Sequence, residues 1–77
     1  MDKSQKRLRF EKVASYRVQK VIDFLRSLQN CSNHNNYEYT IDDVDFMFGE
    51  INRVLKETRN VYENELNKVQ KIDFKFK

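Results

Sequence analysis

Ala14, Val18, Val21, Leu25 and Leu28 follow one another in alternating steps of four and three. That spacing keeps apolar side chains on one face of a helix as an a/d seam. Phe10 continues the series toward the N-terminus, Val13 and Phe24 flank one side of it, and Ile22 flanks the other. At about 100° per residue these positions span roughly half the helix circumference, wider than a single two-helix seam needs. Lys12, Arg17, Lys20 and Arg26, with Gln19 and Asp23, are assigned to the outer face. The pattern predicts a first helical arm over about 4–29. Ser4 is a suitable N-cap, because its hydroxyl can accept an orphan backbone N–H. Asn30 is the expected stop, since Asn tolerates the left-handed conformation that ends many helices.

A second periodic stretch follows. Val44, Met47, Phe48, Ile51, Val54, Leu55, Thr58, Val61, Tyr62, Leu66 and Val69 recur at helical spacing and predict an arm over about 40–71. Thr40 precedes Ile41-Asp42-Asp43, so the arm opens with a hydroxyl cap and acidic residues at the positive end of the helix dipole. Asp43, three residues after Thr40, offers a shorter version of the capping box. Gly49 falls inside the arm, where it either admits a close neighbour or is tolerated on the surface. The tail, 72–77, alternates apolar and charged residues. It is expected to fray or to lay its aromatics on the bundle, with a strand supplied to a partner as the alternative.

Between the arms lies Asn30-Cys31-Ser32-Asn33-His34-Asn35-Asn36, and then Tyr37-Glu38-Tyr39. Side chains of this kind bond their own backbone and hold a loop in shape without regular structure. The loop, 30–39, therefore reads as the turn of a helical hairpin. Tyr37 and Tyr39 either cover the end of the core or, with Asn35 and Asn36, form a partner-binding patch. The expected fold is all-α: a single domain, 1–77, built as an antiparallel two-helix hairpin. Because each stripe is broader than one facing helix requires, the hairpin is expected to self-associate into a four-helix bundle.

Composition sharpens that expectation. A domain of 77 residues buries only about 60% of its unfolded surface, so a lone core is marginal. One Cys excludes an internal disulfide, and one Cys with one His cannot complete a four-ligand zinc site. Oligomerisation is the remaining device for stabilising a small scaffold. The absence of Pro and the single Gly suit long helices. No stretch approaches the roughly 20 apolar residues of a membrane span, and the polar start lacks the apolar run of a secretory leader. A lone Cys suits a reducing compartment, so a cytoplasmic location with no membrane association is expected.

Candidate chemistry is sparse. Cys31 and His34 have the spacing of half a metal site, but the other ligands are missing. Asp42, Asp43 and Asp45 could bind a cation, yet acidic residues at a helix start are already explained by the dipole. Glu57, Glu63 and Glu65 interleave with Lys56, Arg59 and Lys68 as a solvated face held by weak pairs. No nucleophile, base and orienting group come together in the pattern, so no enzyme, no cofactor and no metal are expected. Charge is more informative. Residues 1–29 carry eight basic residues against three acidic ones, and 30–77 carry seven against nine. Lys6, Arg7 and Arg9, with Arg17, Lys20 and Arg26, are the candidate nucleic-acid-binding residues, because a basic arm can follow a phosphate backbone.

The run from Asn30 to Thr40 resembles a loop motif, N-L-S-N-x-x-N-Y-x-Y-T, of small, poorly characterised bacterial helical-hairpin proteins. In those the loop likewise follows a basic arm and precedes an acidic-start helix, and the likeness covers roughly 7–65. This chain departs from the motif at Cys31, where an apolar residue is expected, and at Gln29, where a Gly is expected. The resemblance implies a bacterial or mobile-element source and brings no activity. The function expected from the residues is a non-enzymatic interaction or regulatory module, a homodimer that meets an unidentified protein partner. The alternative is a small nucleic-acid-binding accessory protein that uses its basic N-terminal arm.

Overall fold

A computed structural model describes residues 4–72, with side chains described through 68. It holds two α-helices, α1 (Gln5–Asn30) and α2 (Ile41–Ile72), and no strand among the described residues. The chain divides into two compact units, Met1–Glu38 and Tyr39–Lys77, each carrying one helix. Both helices follow the predicted spans to within a residue. Ile72, assigned to the tail from the sequence, closes α2 instead. The rest of the tail, 73–77, lies outside the described residues.

The start of α1 is fixed as its sequence predicts. Ser4 is extended (φ −66°, ψ 162°), and its hydroxyl accepts the N–H of Arg7 at 3.0 Å. Its carbonyl receives the first helical bond, from Leu8, at 3.0 Å. The end of α1 departs from expectation. Asn30 is the last helical residue, but no residue takes the left-handed conformation. Cys31 stays right-handed (φ −76°, ψ −4°), and among the described residues none other than glycine has positive φ. The chain tightens instead of reversing. Cys31 N–H donates to the Leu28 carbonyl at 3.0 Å, and Ser32 N–H donates to the Gln29 carbonyl at 3.1 Å. The Ser32 hydroxyl donates to that same carbonyl at 2.7 Å. Orphan carbonyls at the helix end are thus satisfied by tight-turn bonds and a side chain, which removes the need for a left-handed cap.

At the start of α2, Thr40 and Asp43 bond reciprocally. Asp43 N–H donates to the Thr40 hydroxyl oxygen at 3.3 Å, and Thr40 N–H donates to the Asp43 carboxylate at 2.8 Å. The Thr40 hydroxyl also donates to that carboxylate, at 3.2 Å. This is the capping box with the shorter acid in the third position. Thr40→Ala should therefore cost about 1 kcal/mol. Amide exchange should accelerate first at Ile41–Val44, with circular dichroism showing a lower melting temperature.

Gly49 resolves toward the surface. At about 100° per residue it points roughly opposite the apolar stripe of α2, and a Cβ built there meets nothing within 4 Å. Its φ is not positive, so alanine fits the backbone. Gly49→Ala should stabilise α2 by about 1 kcal/mol, read as a higher melting temperature with an unchanged assembly state.

Polar positions on α2 are paired along the helix. Arg53 bridges Glu50 and Glu57, each at 2.8 Å, Arg59 meets Glu63 at 3.0 Å, and Lys68 meets Glu65 at 3.1 Å. The expected interleaving of charges is present, with Glu57 taken by Arg53 rather than by Lys56. Each exposed pair at this spacing contributes about 0.3–0.5 kcal/mol, so the pairs support the helix without deciding the fold. The apolar positions have no such local solution. No side chain among the described residues is fully buried. Glu11, Ala14, Leu28, Tyr39, Val44 and Ile51 are half-buried, and the remainder of both stripes through residue 68 is exposed.

Candidate interaction surfaces

The loop is ordered by one asparagine. The Asn33 carbonyl accepts the N–H groups of Asn36 at 3.1 Å and Tyr37 at 2.9 Å. Its side-chain oxygen accepts the N–H of Asn35 at 2.9 Å, an Asx-turn. Asn33 thus holds the backbone of Asn35, Asn36 and Tyr37, and the side chains of these three residues stand exposed on one short turn. Tyr37 is 51% exposed. Tyr39, the fourth member of the proposed patch, is half-buried and belongs to the second unit. Sequence reasoning counted the asparagines as equals. The one that organises the turn sits two residues before Asn35, at the first position of an Asx-turn.

The six candidate cations all lie exposed on α1, but they do not form one surface. At about 100° per residue, Lys6, Arg9, Arg17 and Lys20 fall within a sector of roughly 80°. Arg26 lies about 100° from the nearest of these. Arg17, assigned to the outer face, is closer to the edge of the apolar stripe. Arg7 is held along the helix, its guanidinium 2.9 Å from the Glu11 carboxylate and 5.6 Å from the centre of the Phe10 ring. Lys20 lies over the ring of Tyr16 at 5.3 Å, a cation–π contact that the spacing of four residues allows. Lys6, Arg9 and Lys12 border a shallow hollow on α1 with Leu8 and Val13. Among the described residues, Lys6, Arg9, Arg17, Lys20 and Arg26 make no ion pair. On α2, Arg53, Arg59 and Lys68 are engaged and Lys56 alone among the described cations makes no ion pair, so α1 is the helix with more charge left to offer.

The other candidate groups are dispersed. Asp43 is committed to the cap, and Asp42 and Asp45 are exposed in the same region of α2. Cys31 is an exposed free thiol at the end of α1. Among the described residues no three His, Cys, Asp or Glu side chains are grouped to hold a metal ion. No helix among them is long and apolar enough to cross a membrane. No family model, curated protein or solved structure matches the chain.

Proposed function

We propose that this protein is a non-enzymatic interaction module that works as a self-associated helical hairpin, two copies forming a four-helix bundle. The observation that carries the reading is the apolar stripe of α2, from Val44 through Ile51, Leu55 and Val61 to Leu66, which is half-buried at Val44 and Ile51 and exposed at the other three. Burying a large aliphatic side chain contributes about 1.5–3 kcal/mol, and helical stability in proteins comes mainly from packing an amphipathic face. Two helices with unburied stripes are therefore expected to find each other first and a second copy next. The resemblance of the loop to small bacterial proteins would place the source there and adds no activity.

Sedimentation equilibrium at micromolar concentration should give a dimer mass, with helical content that falls on dilution. A cooperatively folded monomer would sink the reading.

A second reading has its own observation. The cations of α1 that make no ion pair among the described residues suit a polyanion, and in that case the basic arm binds nucleic acid by charge rather than by sequence. The two readings differ in what binding would require. Nucleic acid calls for an accessible basic face whatever the assembly state, whereas the bundle calls for the apolar stripes to be covered.

A further inference from the structure

Resting on the nucleic-acid reading, we propose that the basic face of α1 takes a single strand, with phosphates held by its cations and bases stacked on Tyr16 and Phe24. A second column runs along α1 beside the apolar stripe: Lys6, Arg9, Val13, Tyr16, Lys20 and Phe24, in steps of three and four. At about 100° per residue these six, with Arg17, fall within a sector of roughly 100°. At a rise of about 1.5 Å per residue they extend over about 27 Å. The sector contains no acid. Glu11 lies well outside it and is taken by Arg7 at 2.9 Å. Asp23 borders it on the side away from the stripe, where its carboxylate accepts from the Gln19 side chain at 2.9 Å.

The two rings decide the kind of polyanion. Tyr16 lies about 160° around the helix from Ala14, in the middle of the stripe, so covering the stripe gives it no partner. Its side chain is 64% exposed, and Phe24, at 73%, is the most exposed large apolar residue of α1. The Lys20 ammonium stands 5.3 Å from the centre of the Tyr16 ring. A charge for a phosphate and a face for a base therefore lie side by side. A duplex offers the phosphates, but its bases are stacked on one another and leave the rings without a counterpart. A single strand offers both. Surfaces that bind single strands combine cations along the backbone with aromatic side chains on which bases of any sequence stack.

An anionic lipid surface is the other polyanion that a basic helix can meet. A helix lying in a membrane interface keeps its cations on one face and its aromatic residues on the opposite, immersed face. Here Tyr16 stands within about 40° of both Arg9 and Lys20, and immersing the ring would take those two cations with it. The second helix has no equivalent face. Lys56, its one described cation without an ion pair among the described residues, shares its side of α2 with Asp45 and Glu63, each about 20° away. The charge that α1 offers, with rings set into it, fits a strand rather than a bilayer.

Fluorescence anisotropy on the full chain at low salt tests the proposal, with labelled oligo(dT), oligo(rU) and a mixed-sequence DNA duplex of the same length. At least one single strand should bind more tightly than the duplex, and the better bound of the two tells DNA from RNA. Tyr16→Leu combined with Phe24→Leu keeps apolar bulk and helix propensity but removes both aromatic faces. Single-strand affinity should fall about 5- to 100-fold for each ring lost, while duplex affinity changes little. Tyr16→Phe, which keeps the ring, should retain what Tyr16→Leu loses. The strand preference of the unaltered chain remains a test even if the leucine variant loses helicity. A duplex bound as tightly as either strand overturns the proposal and leaves the nucleic-acid reading standing. So does a leucine variant of unchanged helicity that binds the strands as before. No binding to any of the three ends both. Vesicles of phosphatidylcholine and phosphatidylserine in equal parts are the last arm, and a chain that binds them but none of the nucleic acids overturns the proposal in favour of a lipid surface.

Discussion

Ile51→Asp should abolish the dimer and most of the helical signal at micromolar concentration. Ile51 is one of the half-buried positions of α2 and lies near the centre of its apolar stripe. The substitution removes a side chain whose burial is worth about 1.5–3 kcal/mol. It also places a charge where the assembly leaves it no partner, a change that destabilises by about 3–5 kcal/mol. The total is comparable to the whole stability of a small domain, about 5–15 kcal/mol, and a domain of this length sits near the low end. Asn60→Asp is the control. It adds the same charge on the face opposite the stripe, where a surface substitution should stay within about 0.5 kcal/mol. Sedimentation and thermal melts followed by circular dichroism read both variants. An Ile51→Asp protein that remains a dimer with an unchanged melting temperature would mean that the stripe is not the buried surface.

The features most legible in the sequence were those fixed by a few residues. Ser4 and Thr40 announce the helix starts because a hydroxyl just before a periodic run has one obvious set of donors to satisfy, and both caps form as the spacing implies. The end of α1 was legible in place but not in geometry. An asparagine suggests a left-handed cap, yet Ser32 reaches back to the Gln29 carbonyl and satisfies it without one. That outcome depends on the torsions of two residues beyond the helix, which composition does not encode. The loop was less legible still, since four asparagines between 30 and 36 offer competing Asx-turns and only local backbone geometry selects Asn33. The basic arm was legible as charge but not as a surface. Arg7 and Arg17 are equivalent in a charge count. Yet an acid four residues on engages Arg7, whereas Arg17 makes no ion pair among the described residues.

That distinction sets the size of the largest expected salt effect. If α1 binds nucleic acid, the contacts should come from Lys6, Arg9, Arg17 and Lys20, four cations of one sector that make no ion pair among the described residues. Each phosphate neutralised on duplex DNA contributes about −0.9 to the slope of log affinity against log salt, so four give a slope of about −3.6. Between 50 and 200 mM salt the affinity should then fall by about two orders of magnitude. Replacing Lys6, Arg7 and Arg9 together with Gln should reduce that slope by about two, since Arg7 is already held by Glu11. Helicity should change little, because Gln is a good helix former. Fluorescence anisotropy with duplex DNA, single-stranded DNA and RNA at both salt concentrations measures each slope. Salt-sensitive binding that ignores the triple substitution would keep nucleic acid as the partner and move the site to Arg17 and Lys20. No binding at the lower salt would remove nucleic acid altogether, and the basic face of α1 would then serve solubility and the pairing of helices.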